Sequence, residues 1–357
     1  MARMQLFLSL AACLATLLSS VCAIEIYDIF TVDRTADVDG GCRSRLGVLD
    51  EWLSECIESI DIALSAIDDY RNDIRVRRSM SIFFGIHNSG RNQPESVGQV
   101  RAEIRFLAEF FNQAEKEVDP TGPIYPPSQF WLFCDSTFLS LREPGDPAQD
   151  FQGNEIVDED GSAVSISDVP AYKKSLGEDQ GNKPWWSGDL TDLQGYYFTD
   201  HGGNYCYDDE LGITASIQLL GRPELASIIL CPYAFDRSPK PDNYRAANNL
   251  LADGVNLADA IPKSTTLLHE AFHFLRGDEF LSGDDEKYDI ASCINMAASH
   301  KRHNPETYVF FIAHMYHMRA IPEDSEPWSI PRNWDFHNAG QGSRRIFSAF
   351  ATTQATG

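Results

Sequence analysis

Basic residues are scarce in this chain. Its 357 residues hold 29 lysines and arginines against 53 aspartates and glutamates, a formal net charge of −24. A surface of that sign repels nucleic acid and anionic membranes, which are therefore not expected as partners. It favours cationic partners, Lys/Arg-rich peptides among them. After the N-terminus no apolar run approaches the roughly 20 residues that a membrane-spanning helix needs. No two cysteines are spaced C-x-x-C, which argues against a cysteine-based metal site. There is no N-x-S/T sequon and no internal repeat is evident. The remainder is ordinary for a globular protein, with 43% hydrophobic and 23% charged residues.

The first segment is read as a leader. Arg3 precedes an apolar run from Leu6 to about Leu18, and "VCA" at Val21 to Ala23 fits a signal-peptidase site. Residues 1–23 are therefore expected to be a cleaved signal peptide and the mature chain to be secreted, extracellular and monomeric. Cys13 and Cys22 leave with the leader. Cys42, Cys56, Cys134, Cys206, Cys231 and Cys293 remain, enough for up to three disulfides in an exported chain.

Apolar residues recur at three- and four-residue spacing from Gly47 to Arg78, predicting helix, and a second helix is predicted from about Ser96 to Val118. "QFWLFCDSTFL" (Gln129 to Leu139) and "ELASIILCPYAF" (Glu224 to Phe235) read as strands. The Gly-, Pro- and Asp-rich stretch from about 142 to 205 reads as a loop-rich insertion whose Trp and Tyr pairs pack on the body. Helices are predicted at about Lys263 to Leu275, Glu286 to Lys301 and Pro305 to Arg319, the last capped by Asn304. The tail 321–357 is predicted to be irregular. "RVRR" (Arg75 to Arg78) reads as the basic C-terminal end of a helix, with a processing site as the rival reading. The whole is expected to be α+β: one domain over 24–320, mainly helical with a small sheet.

One stretch carries chemistry. "TTLLHEAFHFLRGDEF" (Thr265 to Phe280) holds the pattern H-E-x-x-H as His269, Glu270 and His273. On a helix, residues i and i+4 lie about 400° apart, so both imidazoles share one face and can reach a single ion. Glu270, one position round, points beside such an ion and can take a proton from its water. The flanks Leu267, Leu268, Ala271, Phe272, Phe274 and Leu275 are apolar. A buried helix does not carry two histidines and a glutamate unless they are paired or ligating.

Two histidines leave a third ligand to be found. The metzincin pattern needs Gly at 276 and His at 279, where the chain has Arg276 and Glu279; a variant would use Glu279 itself. A gluzincin scheme would use Glu306 on a following helix. A third scheme uses an aspartate after a turn: Gly277, Ser282 and Gly283 let the chain fold back and present Asp285, with Asp284 and Asp289 as rivals. His314 and His317, and His300 and His303, lack acidic partners in the sequence and read as structural, and His201 lies in the insertion.

H-E-x-x-H followed by D-x-x-Y resembles the aspzincins, the deuterolysin and peptidyl-Lys metalloendopeptidase group of secreted peptidases. Their second motif, G-T-x-D-x-x-Y-G, matches here at Asp285 and Tyr288 and departs at Ser282, Gly283 and Asp289. "NPETYVFF" (Asn304 to Phe311), "SIFFG" (Ser81 to Gly85) and "IILCP" (Ile228 to Pro232) are similar to the family as well. The resemblance implies a zincin-like fold over about 42–318. It also implies one Zn2+ held by His269, His273 and Asp285, Glu270 as general base, and Tyr288 as hydrogen-bond donor to the oxyanion. The expected activity is endopeptidase cleavage of protein or peptide substrates. A secreted protein that keeps the fold and metal but acts by binding is the alternative.

Overall fold

A computed structural model describes residues 24–32, 38–87, 94–112, 130–188, 193–198, 205–250, 255–319, 333–338 and 347–352. The expected leader 1–23 and His201 lie outside them. Buried Ile26 and Ile29 anchor a one-turn helix, α1 (Ile26–Ile29), that leads into a short strand, β1 (Thr31–Val32). The helical region from Gly47 is two helices, α2 (Leu46–Asp68) and α3 (Ile74–Phe84). The chain turns between them, and Asp73 restarts the helix by accepting from the Arg75 backbone N–H at 2.8 Å. Arg75 to Arg78 therefore begin a helix and do not end one. Arg75 pairs with Asp73, and Arg77 donates to the carbonyls of Tyr70 and Arg71. In α4 (Glu95–Phe111), Ile104, Leu107, Phe110 and Phe111 are buried as their spacing predicts.

The main sheet has four strands in the order β1, β2 (Phe130–Phe133), β7 (Leu225–Leu230), β6 (Gly212–Ile217). β1, β2 and β7 are parallel, and β6 runs antiparallel to β7 with Gly212 opposite Leu230. Strand alternation divides β6 between two faces. Ile213, Ala215 and Ile217 enter an apolar cluster with Phe133, Ile229, Trp185, Tyr197 and Tyr205. Gly212 and Thr214 face the other way, toward the helix that carries His269.

The insertion has more regular structure than its composition predicts. It holds a helix, α5 (Pro170–Glu178), and two strands, β4 (Trp185–Trp186) and β5 (Tyr196–Tyr197), which complete a three-stranded antiparallel sheet with β3 (Ser140–Leu141) just before it. Trp185 and Tyr197 pack on the main sheet, as expected, while Trp186 and Tyr196 join Tyr172 and Phe198 in a small separate core. The insertion also holds two turns of the same construction, eight residues apart. Asp150 accepts from the backbone N–H groups of Gln152 and Asn154, and Asp158 from those of Asp160 and Ser162. Gly153 and Gly161, each at φ 78°, complete them.

After β7 come α6 (Pro232–Asp236), α7 (Tyr244–Leu250), α8 (Thr265–Arg276), α9 (Ile290–Asn295), α10 (Ala298–Lys301) and α11 (Pro305–Arg319). α8 and α11 fall where predicted. The helix expected over Glu286–Lys301 is two short ones, because 286–289 is not helical and Met296 breaks the run with extended backbone (ψ 159°). The tail is not wholly irregular: β8 (Asn333–Asn338) and β9 (Phe347–Thr352) form an antiparallel hairpin, with β9 beside α9. α8 is sandwiched between β6 and β7 on one side and α2 and α11 on the other. This packing explains why Leu267, Leu268, Ala271 and Phe272 are all buried. The molecule is thus mixed α/β with a small sheet. No helix among the described residues is long and apolar enough to cross a membrane.

Two disulfides form, Cys42–Cys134 and Cys206–Cys231, consistent with an extracellular setting, while Cys56 and Cys293 are buried free thiols. The first closes a loop of 92 residues in sequence separation. Replacing Cys42 and Cys134 by serine should lower the unfolding free energy by about 2–5 kcal/mol, read as a lower urea midpoint. An unchanged midpoint would show that the crosslink contributes no stability.

Candidate metal centre

α8 ends at Gly277, whose φ of 48° turns the chain out of the helix. Two 3-10 turns follow, Gly277–Glu279 and Gly283–Asp285, the second made possible by Gly283 at φ 57°. The chain then runs back beneath α8 in extended form. Leu281 N–H donates to the His303 carbonyl at 2.7 Å. The Asn304 side chain grips the Lys287 peptide from both sides, accepting from its N–H and donating to its carbonyl, each at 2.9 Å. Asn304, expected to cap α11, directly precedes it and bonds Thr307 in its first turn through both carbonyl and side chain, while the same side chain fixes the residue next to Glu286.

This stitching decides which carboxylate meets the histidines. Glu286 is 4% exposed, and its Oε1 lies 3.2 Å from Nε2 of His269 and 3.2 Å from Nε2 of His273. The ligand atoms of His269, His273 and Glu286 all lie within 4.8 Å of one another, and the group could hold a metal ion. Asp285, the expected third member, is exposed in the preceding 3-10 turn and is not part of the group. Asp285 closes the 3-10 turn with its side chain exposed, and Glu286 leaves that turn with extended backbone (φ −72°, ψ 149°) and its side chain buried. The rivals are also placed elsewhere. Asp289 caps α9 through the Ser292 N–H, and exposed Glu279 pairs with Arg276.

Glu306 lies on the other side of His269, its Oε2 2.8 Å from Nδ1. It touches the back of the ring while Glu286 meets the front. Burial alone would lower the His269 imidazole, but hydrogen bonds to Glu286 and Glu306 outweigh it and hold it up at about 10. Burial would likewise raise Glu286, yet the two imidazoles pull it down to about 2. Two imidazole nitrogens and a carboxylate oxygen converging in a buried pocket is a donor set of the kind that binds a transition metal.

Glu270, 5% exposed, turns toward β6. Thr214 Oγ1 donates to its Oε2 at 2.9 Å, and a Cβ on Gly212 would come within 2.9 Å of its side chain. Burial raises its pKa. Tyr288 stands at the mouth, 60% exposed, its hydroxyl donating to Glu286 Oε2 at 2.7 Å and its ring stacked 5.7 Å from that of His269. The four site residues expected from the sequence other than Asp285 are therefore neighbours. No family model, curated protein or solved structure matches this chain. The geometry is what carries the reading of the site.

Three residues have parts that local sequence does not announce. Thr214 sits on a strand whose alternation in "GITASI" is its only signal. Glu286 is adjacent to the D-x-x-Y match, which points to Asp285. Glu306 reads in the sequence as a possible ligand, and the structure places it behind the His269 ring.

The other histidines serve the core. His317 donates from Nε2 to the Ala260 carbonyl at 2.9 Å. Ser79 Oγ, which donates to the Arg75 carbonyl, lies 3.0 Å from His314 Nδ1, so that nitrogen is the donor between them. Burial lowers His314 to about 3 and His317 to about 4. Both depressed values make the same sign of linkage. The stability is present above the unfolded value of about 6.5 and is lost as pH falls from there through the folded values, at about 1.4 kcal/mol per unit for each group. The melting temperature should therefore fall between pH 6.5 and 4. His317→Gln, which keeps a donor for Ala260, should fall less steeply over that range; an identical slope would remove His317 from the account.

Proposed function

We propose that this chain is a secreted, zinc-dependent endopeptidase with a zincin-like fold. The observation that carries the reading is the convergence of His269, His273 and Glu286 with Glu270 beside them on the same helix. The resemblance of H-E-x-x-H and D-x-x-Y to the aspzincins supports it, with Glu286 taking the third ligand position in place of Asp285. His269, His273 and Glu286 would hold the ion, which would supply Lewis acidity to a carbonyl and to the attacking water.

The remaining chemistry belongs to the protein's own groups. Glu270 accepts the proton of the attacking water. Its burial, which disfavours the ionised form, makes it a stronger base than an exposed glutamate, and Thr214 and Gly212 fix its direction. Tyr288 presents a hydroxyl at the mouth of the site, suited to donating to the oxyanion that forms as the carbonyl is attacked. Among the described residues β6 is the terminal strand of its sheet and lies beside α8, which favours an extended peptide that pairs with its edge ahead of Gln218, where Tyr196 already forms an antiparallel bridge. The negative charge of the chain favours Lys/Arg-rich substrates.

A binding protein without turnover is the second reading. It is favoured by one observation, the hydrogen bond that ties Tyr288 to Glu286 in place of leaving its hydroxyl free. Casein digestion separates the two. The purified chain should cleave casein, lose activity to a chelator and regain it with added zinc. One bound zinc without cleavage of casein would favour the binding reading.

A further inference from the structure

Glu306 is a buried carboxylate with one visible task. It is 6% exposed, in the first turn of α11, where the positive end of the helix dipole favours an anion. Its Oε2 lies 2.8 Å from Nδ1 of His269, while Nε2 of the same ring lies 3.2 Å from Glu286 Oε1. The two nitrogens of an imidazole point in diverging directions, so an ion held at Nε2 and a carboxylate at Nδ1 occupy different sides of the ring. A metal-binding imidazole must keep its proton on the nitrogen that does not bind.

Resting on the reading that His269, His273 and Glu286 hold a metal ion, we propose that Glu306 is the positioning residue of the centre: it holds the Nδ1 proton of His269 and so keeps the Nε2 lone pair directed at the ion. An ionised carboxylate only accepts hydrogen bonds, so it selects the binding tautomer and rejects the other. The surroundings hold Glu306 in place. Asn304, two residues before it, is locked to the Lys287 peptide. Lys240, partly buried, brings an ammonium to the same region, donating to Thr265 Oγ1 at 3.3 Å, and the Glu306 carboxylate attracts that charge. Glu286 and Glu306 thus have separate work, one at the ion and one behind the ring.

The test is titration with zinc alone, against a chromophoric competitor, of wild type, Glu306→Gln, Glu306→Asp and Glu286→Ala. Glutamine can donate as well as accept and so also permits the wrong tautomer. Glu306→Gln should keep one zinc per chain and bind it about 10–100-fold more weakly. Glu306→Asp, which keeps the charge, should lose less. In the zinc-loaded wild type the His269 Nδ1 proton should resonate at low field, and in Glu306→Gln it should move upfield. Equal affinity and an unmoved proton in the variants would overturn the proposal, as would loss of stoichiometry matching Glu286→Ala, which would make Glu306 a ligand. If Glu306→Gln fails to fold, the affinity of Glu306→Asp against wild type decides. A wild type that binds no zinc overturns the underlying reading, a result distinct from a variant that binds as well as wild type.

Discussion

Glu286→Ala is expected to weaken zinc binding by about 100-fold or more, since loss of even an outer partner of a ligand costs 10–100-fold. Asp285→Ala should leave affinity within about twofold. The contrast follows from one residue of register. Asp285 is exposed at the end of a 3-10 turn, and Glu286 begins the extended segment that Asn304 clamps at Lys287. The Glu286→Ala variant also strips buried His269 and half-buried His273 of the anion between them. Its apparent stability should therefore respond much less to added zinc than that of wild type, which gains stability as ligand saturates the native state. If Asp285→Ala loses zinc and Glu286→Ala keeps it, the loop must rearrange on binding and the ligand assignment is reversed.

Glu270→Gln should reduce kcat for peptide hydrolysis by about 10²–10⁴-fold, the usual contribution of a positioned general base, while one zinc per chain is retained. Stability should hold or rise. Glu270 is buried with a raised pKa, so its ionised form is a standing cost to the fold that glutamine removes. A melting temperature that holds while turnover collapses is the signature of a residue kept for chemistry. Activity that survives Glu270→Gln would assign the base to another group.

The residues that carry the site were legible where the information is local. H-E-x-x-H on an apolar helix is set by helical period, and α8 has the predicted burial. Pro305 to Arg319 was likewise readable as a long apolar helix. What is not legible depends on contacts distant in sequence. D-x-x-Y points to Asp285, but a motif does not record which way a side chain turns after a 3-10 turn. That direction is set by Asn304, 17 residues beyond Lys287. Thr214 reaches Glu270 across 56 residues through the antiparallel pairing of β6 and β7. The break at Asp69–Asp73 was missed because apolar spacing continues through it, while the cap that restarts the helix is a single aspartate. In the insertion, glycine and aspartate were read as loop composition although they build two matched turns.

Whether His269, His273 and Glu286 form a metal centre is read by metal analysis of the purified chain after equilibrium dialysis at neutral pH against micromolar zinc. One zinc per chain is expected, removed by a chelator and absent from His269→Ala. Substoichiometric zinc in the wild type, or an equal content in His269→Ala, would show that these residues hold no metal.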